Sequence, residues 1–189
     1  MSTTSIIILV AIAVIALFIM SLYNGLIRKK NEVANAFGGM DVQLKKRYDL
    51  IPNLISTVKQ YMTHERDLLT KVTELRGKAM NANVSNEEKV DIDNQITGAM
   101  KGIMVAVENY PDLKSNTNFI NLQRTMNEVE SQISAARRAY NAAVTDYNNG
   151  VQMFPGSMMA GMMHLSAKKV FEIPEVERAN YNAKDLFNS

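Results

Sequence analysis

Apolar positions along the chain form one unbroken block and then a long series of three- and four-residue steps. The block is residues 6–20, fifteen apolar side chains in a row, which Ser21, Leu22 and Tyr23 extend to about the length of a bilayer's hydrocarbon core. Ile6, Leu9, Ile15, Phe18, Met20, Leu22 and Tyr23 mark this predicted membrane anchor. Beyond it, Leu26, Val33, Phe37, Met40 and Leu44 recur at the intervals of a helix with one buried face. Gly38 and Gly39 interrupt that helix at a cost of about 1 kcal/mol each relative to Ala, which points either to a hinge or to a close helix contact. A second stripe, Ile51, Ile55, Val58, Met62, Leu69, Val72 and Ala79, predicts a new helix capped by Asp49 and running to about Ala82. Pro52 falls where a first helical turn tolerates proline.

Residues 81–84 break the pattern. Ser85 and Glu88 then stand at the spacing of a capping box, in which side chains satisfy free backbone N–H groups at a helix start. The third stripe is Ile92, Ile96, Ala99, Ile103, Val107 and Tyr110, and Pro111 stops it by disfavouring helical geometry in the residue before it. Asp112 or Ser115 is the expected cap of the next helix. The fourth stripe runs from Phe119 through Met126, Ile133, Tyr140 and Tyr147 to Val151 and predicts a helix of roughly 50 Å at 1.5 Å per residue. These elements predict an all-α fold, an N-terminal transmembrane helix followed by an antiparallel up-and-down four-helix bundle of long helices. Four helices require Pro52 to separate two of them; were it only to kink one, three would result. The expected organisation is an anchor over 1–27, a bundle over 28–152, and a Met-rich segment with a partly irregular tail over 153–189. Pro174 and Asn180 to Asn182 mark the irregular stretch, with Phe171 and Phe187 as its tethers.

Charge orients the anchor. Arg28, Lys29 and Lys30 follow the apolar block, while the other flank has no charged side chain, so the positive-inside bias places the N-terminus outside and the bundle in the cytoplasm. A cleaved signal peptide fits less well, because residues 1–5 lack the basic n-region and residues 18–22 offer no small-x-small exit. With 21 basic and 19 acidic residues, the net charge of +2 is too balanced for a dedicated nucleic-acid binder. The absence of cysteine removes disulfides, thiolate metal sites and Cys nucleophiles.

Catalytic motifs fail one by one. Glu65 follows His64 but no second histidine completes H-E-x-x-H, and neither His64 nor His164 has the Glu three residues earlier that a di-iron bundle requires. Gly98 and Gly102 lie inside an apolar-periodic helix rather than after a strand, so no phosphate cradle is predicted. Asp91/Asp93 and Glu128/Glu130, two residues apart, point to different helix faces and read as solvated charge. No catalysis, metal or cofactor is expected.

Several rigid polar motifs remain. Asp41 to Arg47, then Asp49 to Leu54, Tyr61 and His64-Glu65, resemble the signature of the LemA family of bacterial membrane proteins. Glu108 to Lys114, Ala136 to Asn141, Tyr147-Asn148 and Phe154-Pro155 resemble that family's later motifs in the same order. The resemblance covers nearly the whole chain and implies a single-span membrane protein with a four-helix-bundle domain and no established catalytic activity. It also suggests a membrane metalloprotease as a candidate partner. Gly38-Gly39 and the Met-rich segment depart from the family pattern.

Two groups of residues then carry the functional expectations. Asp49, Asn53, His64, Glu65, Arg137 and Asn141 are expected to form buried hydrogen bonds that hold helix register, in preference to a recognition surface. Gly38, Gly39, Met153, Phe154, Met158, Met159, Met162 and Met163 are the candidate interface, since flexible thioethers suit packing, a membrane surface or an adaptable partner groove. Cu(I) binding by the methionines beside His164 is disfavoured, because their spacing is equally that of an apolar helix turn. The expected partners are the lipid bilayer, further copies of the chain in a homo-oligomer and, as the alternative, another membrane protein. The function expected is a non-catalytic, self-assembling scaffold, with an adaptor as the runner-up.

Overall fold

The computed structural model describes residues 2–171, and every element in it is an α-helix: α1 Thr3–Val58, α2 Arg66–Ala79, α3 Asn86–Val107, α4 Pro111–Lys114, α5 Thr117–Gln152 and α6 Gly156–Met162. The predicted irregular stretch at Pro174 and Asn180 to Asn182, and the tether Phe187, lie outside the described residues. The chain divides into two compact units, one formed by Met1–Gln43 with Glu130–Val170 and the other containing Leu44–Val129.

The break expected at Asp49 is absent. α1 continues through Pro52 to Val58, because its buried stripe keeps phase across the proline: Leu44, Tyr48, Ile51, Leu54 and Val58 are all buried. A mid-helix proline leaves the carbonyl four residues earlier without its N–H donor. Here that carbonyl belongs to Tyr48, and Arg76 of α2 donates to it from Nε at 2.7 Å. The proline is thus accommodated by a tertiary contact.

The helix ends instead in a turn over 59–65. No glycine or proline stands there, and the turn is held by partners from later in the chain. Asn116 donates to the Tyr61 hydroxyl at 3.2 Å, and Met62 is buried beneath the turn. Within this unit α2 packs against α3. The capping box forms as the spacing predicts, the Glu88 N–H donating to Ser85 Oγ and the Ser85 N–H to Glu88 Oε2, both at 3.2 Å. Pro111 occupies the first turn of α4, and the cap of α5 is Asn116 rather than Asp112 or Ser115. Its Oδ1 accepts from the N–H groups of Asn118 and Phe119.

In the other unit α5 runs antiparallel to α1. The rings of Phe37 and Tyr140 meet edge to face at 5.9 Å, Lys29 pairs with Asp146, and Gly150 lies against Leu26 and Lys29. The sum of the paired residue numbers is nearly constant, so the C-terminal end of α5 stands level with residues 24–26 of α1. α6 closes over that end. A Cβ on Gly156 would overlap the Gly150 carbonyl oxygen, so only glycine permits this return. α6 ends in a Schellman arrangement, with Leu165 N–H donating to the Ala160 carbonyl and His164 N–H to that of Gly161. The residue in the left-handed conformation is His164, at φ 52°.

Candidate functional site

The predicted anchor is one long surface that none of the other described residues covers. Ile6, Leu9, Ile15, Phe18, Met20 and Tyr23 are all exposed and Leu22 is half-buried. The helix is long and apolar enough to cross a membrane. Just beyond, where burial of the stripe begins at Leu26, Arg28 and Lys30 are exposed and Lys29 is half-buried against Asp146.

Gly38 and Gly39 sit inside continuous helix and face open space, with no atom within 4 Å of a Cβ placed on either. No other element of the described chain therefore packs closely against either glycine.

The Met-rich segment separates into two kinds of side chain. Met159 is buried with Ala160, and Met163 is half-buried, so these two serve packing. Met153, Phe154, Met158 and Met162 are 64%, 79%, 65% and 69% exposed. After α6 the chain folds back along α5, where Asn148 exchanges two 2.8 Å hydrogen bonds with the backbone of Lys168. The Tyr147 hydroxyl donates to the Ser166 carbonyl, and burial pushes its pKa up.

The polar motif residues divide between exposed and engaged positions. Asp49, Asn53 and His64 are exposed rather than buried, and Asp49 forms an ion pair with Lys45 one helical turn before it. Arg137 and Asn141 are half-buried and engaged with neighbours. Glu65 accepts a 2.7 Å hydrogen bond from the Tyr110 hydroxyl and so ties the 59–65 turn to the residue preceding α4. That hydrogen bond, then desolvation and the carboxylate's charge, raise the pKa of Tyr110.

The buried charge is elsewhere. Arg47 donates from Nη1 to Asp93 Oδ1 at 2.7 Å and to Thr97 Oγ1 at 2.9 Å, and both charged side chains are almost wholly buried. Thr97 in turn donates to the Asp93 backbone carbonyl at 3.0 Å. Asp91 and Asp93 do diverge to different faces, but only Asp91 is solvated. A sequence signal existed: Arg47 and Asp93 stand in phase with the buried positions of their helices, Leu44 and Ile51 on one side and Val90 and Ile96 on the other. Among the described residues no three His, Cys, Asp or Glu side chains group as a metal site.

A profile of the LemA family matches residues 36–184, most of the chain. The chain belongs to the LemA family. It is 27% identical over 165 residues to Protein LemA of Metamycoplasma hominis, an alignment covering 87% of this chain and 75% of that protein. It is also 20% identical over 190 residues to Magnetosome proteins MamQ 2 and MamQ 1 of Paramagnetospirillum magneticum, covering 87% of this chain and 70% of each. LemA membership and the exposed apolar helix together support a membrane-anchored protein of this type.

Proposed function

We propose that this LemA-type protein is a single-span component of the bacterial cytoplasmic membrane, with its N-terminus outside and its helical domain in the cytoplasm, acting non-catalytically as a self-assembling scaffold. The observation that carries the reading is the continuity of α1. One 56-residue helix begins as a surface that none of the other described residues covers and ends with its stripe packed in a core. Lipid is the cover its apolar half demands, since so large an exposed apolar surface is not stable in water. Among the described residues the most deeply buried charges, Arg47 and Asp93, pair with each other across two helices, with Thr97 beside them, an arrangement suited to holding helices together. Two relatives are named as magnetosome proteins, which accords with a part in an assembled structure.

Self-assembly has a candidate surface on α1, where Gly38 and Gly39 face open space and Val42 is 55% exposed. The test is the native mass and composition of the full-length protein after gentle extraction, by light scattering with mass spectrometry. A particle built of this chain alone supports the scaffold. A second protein at fixed stoichiometry replaces it with an adaptor, the membrane metalloprotease suggested by the family being one candidate, and a monomer overturns self-assembly.

A further inference from the structure

The antiparallel register of α1 and α5 decides where the exposed apolar side chains of α6 stand. Gly150 touches Leu26 and Lys29, Gly156 touches Gly150, and the chain returns along α5 at Ser166 and Lys168. The segment between is therefore held at the level of α1 residues 23–29, where the apolar block gives way to Arg28, Lys29 and Lys30. Met153, Phe154, Met158 and Met162 are exposed at that level, in the same compact unit as the span. Lys168 and Lys169, both exposed, add cations to those of Arg28 and Lys30. Tyr23, 46% exposed, stands beside them in the position that interfacial aromatic residues take.

We infer that Met153, Phe154, Met158 and Met162 form a second membrane contact, a foot seated in the interfacial layer of the leaflet from which the α1 span emerges, with Arg28, Lys30, Lys168 and Lys169 facing anionic phospholipid headgroups. The inference rests on the reading of α1 as a bilayer span. Unbranched thioethers and one phenyl ring adapt to disordered acyl chains, and an apolar patch rimmed by cations is the composition of interfacial anchors. A second copy of the chain fits less well. Four side chains are far fewer than the about 20–30 residues a side of a stable interface, and paired copies would bring like charges together. The consequence is a protein held at two points, which restricts the tilt of the α1 span.

The chain contains no tryptophan, so single Trp reporters give unambiguous depth. Full-length Phe18→Trp, Phe154→Trp and Val42→Trp variants are reconstituted in phosphatidylcholine–phosphatidylglycerol vesicles carrying lipids brominated near the top of the acyl chain. Quenching of Phe18→Trp and Phe154→Trp, with Val42→Trp unaffected, is the expected result. Adding Met158→Gln and Met162→Gln should cut the quenching at position 154 by at least half, as should replacing phosphatidylglycerol with phosphatidylcholine. Quenching of Phe18→Trp without any at Phe154→Trp leaves the span standing and overturns the foot. Absence of quenching at Phe18→Trp removes the span and the foot with it. Blue-shifted, unquenched Phe154→Trp emission that reverts on dilution in lipid assigns the surface to a second copy and likewise overturns the foot.

Discussion

Arg47 and Asp93 bring opposite charges into the interior, where removing either partner strands the other away from water. Arg47→Met alone, or Asp93→Leu alone, is expected to lower stability by about 3–5 kcal/mol, while the double variant recovers most of that loss because no buried charge is left. Urea midpoints of the four proteins in detergent, followed by circular dichroism, check the cycle; additive losses would show that the two side chains act separately. Tyr110 offers a second test at this scale. Its hydrogen bond to Glu65 raises its pKa above 10.0 in the folded state, so the folded protein holds that proton more tightly than the unfolded chain. The resulting stability is complete below pH 10.0 and is lost as the pH rises through the folded-state value. Tyr110→Phe should have lower stability at neutral pH and a flatter alkaline decline, measured as melting temperature against pH.

Among the helices, the accommodation of Pro52 in α1 depends on α2. Arg76→Met removes the donor to the Tyr48 carbonyl and is expected to cost about 1–3 kcal/mol, the penalty of a half-buried acceptor left without a partner. Pro52→Ala restores an in-helix N–H for the same carbonyl, so it should rescue the Arg76→Met variant in thermal unfolding. A failure of rescue would mean that Arg76 contributes by packing its stem instead. The return of the chain at the end of α5 turns on two glycines of unequal tolerance. Gly156→Ala drives a methyl into the Gly150 backbone carbonyl and should destabilise by about 1–3 kcal/mol. Gly150→Ala meets only side-chain carbons, Lys29 Cδ at 3.0 Å and Leu26 Cδ2 at 3.2 Å. Those can yield, and the gain in helix propensity of about 1 kcal/mol offsets the crowding, so this variant should stay near neutral in the same melts.

For the whole molecule, orientation in the membrane is the property most open to direct measurement. Because the chain has no cysteine, Ser2→Cys and Ser189→Cys are clean reporters. An impermeant maleimide is expected to label Ser2→Cys in intact cells and Ser189→Cys only after permeabilisation, if the proposed orientation, argued from the basic flank at Arg28 to Lys30, holds. The reverse pattern would place the helical domain outside and overturn the cytoplasmic assignment.

The all-α class, the apolar first half of α1, the capping box at Ser85 and Glu88 and the reach of α5 were legible in the sequence, because each depends on local spacing. The phase of the stripe through Leu44, Tyr48 and Ile51 also carried the continuity of α1, but proline chemistry outweighed it in the local reading. What only the tertiary structure decided are the turn at 59–65, the partner of the Tyr48 carbonyl, the burial of Asp93 and the separation of the methionines into buried Met159 and exposed Met153, Met158 and Met162. Each of these turns on which distant side chain arrives to satisfy a group, and residues remote in sequence leave no periodicity to read.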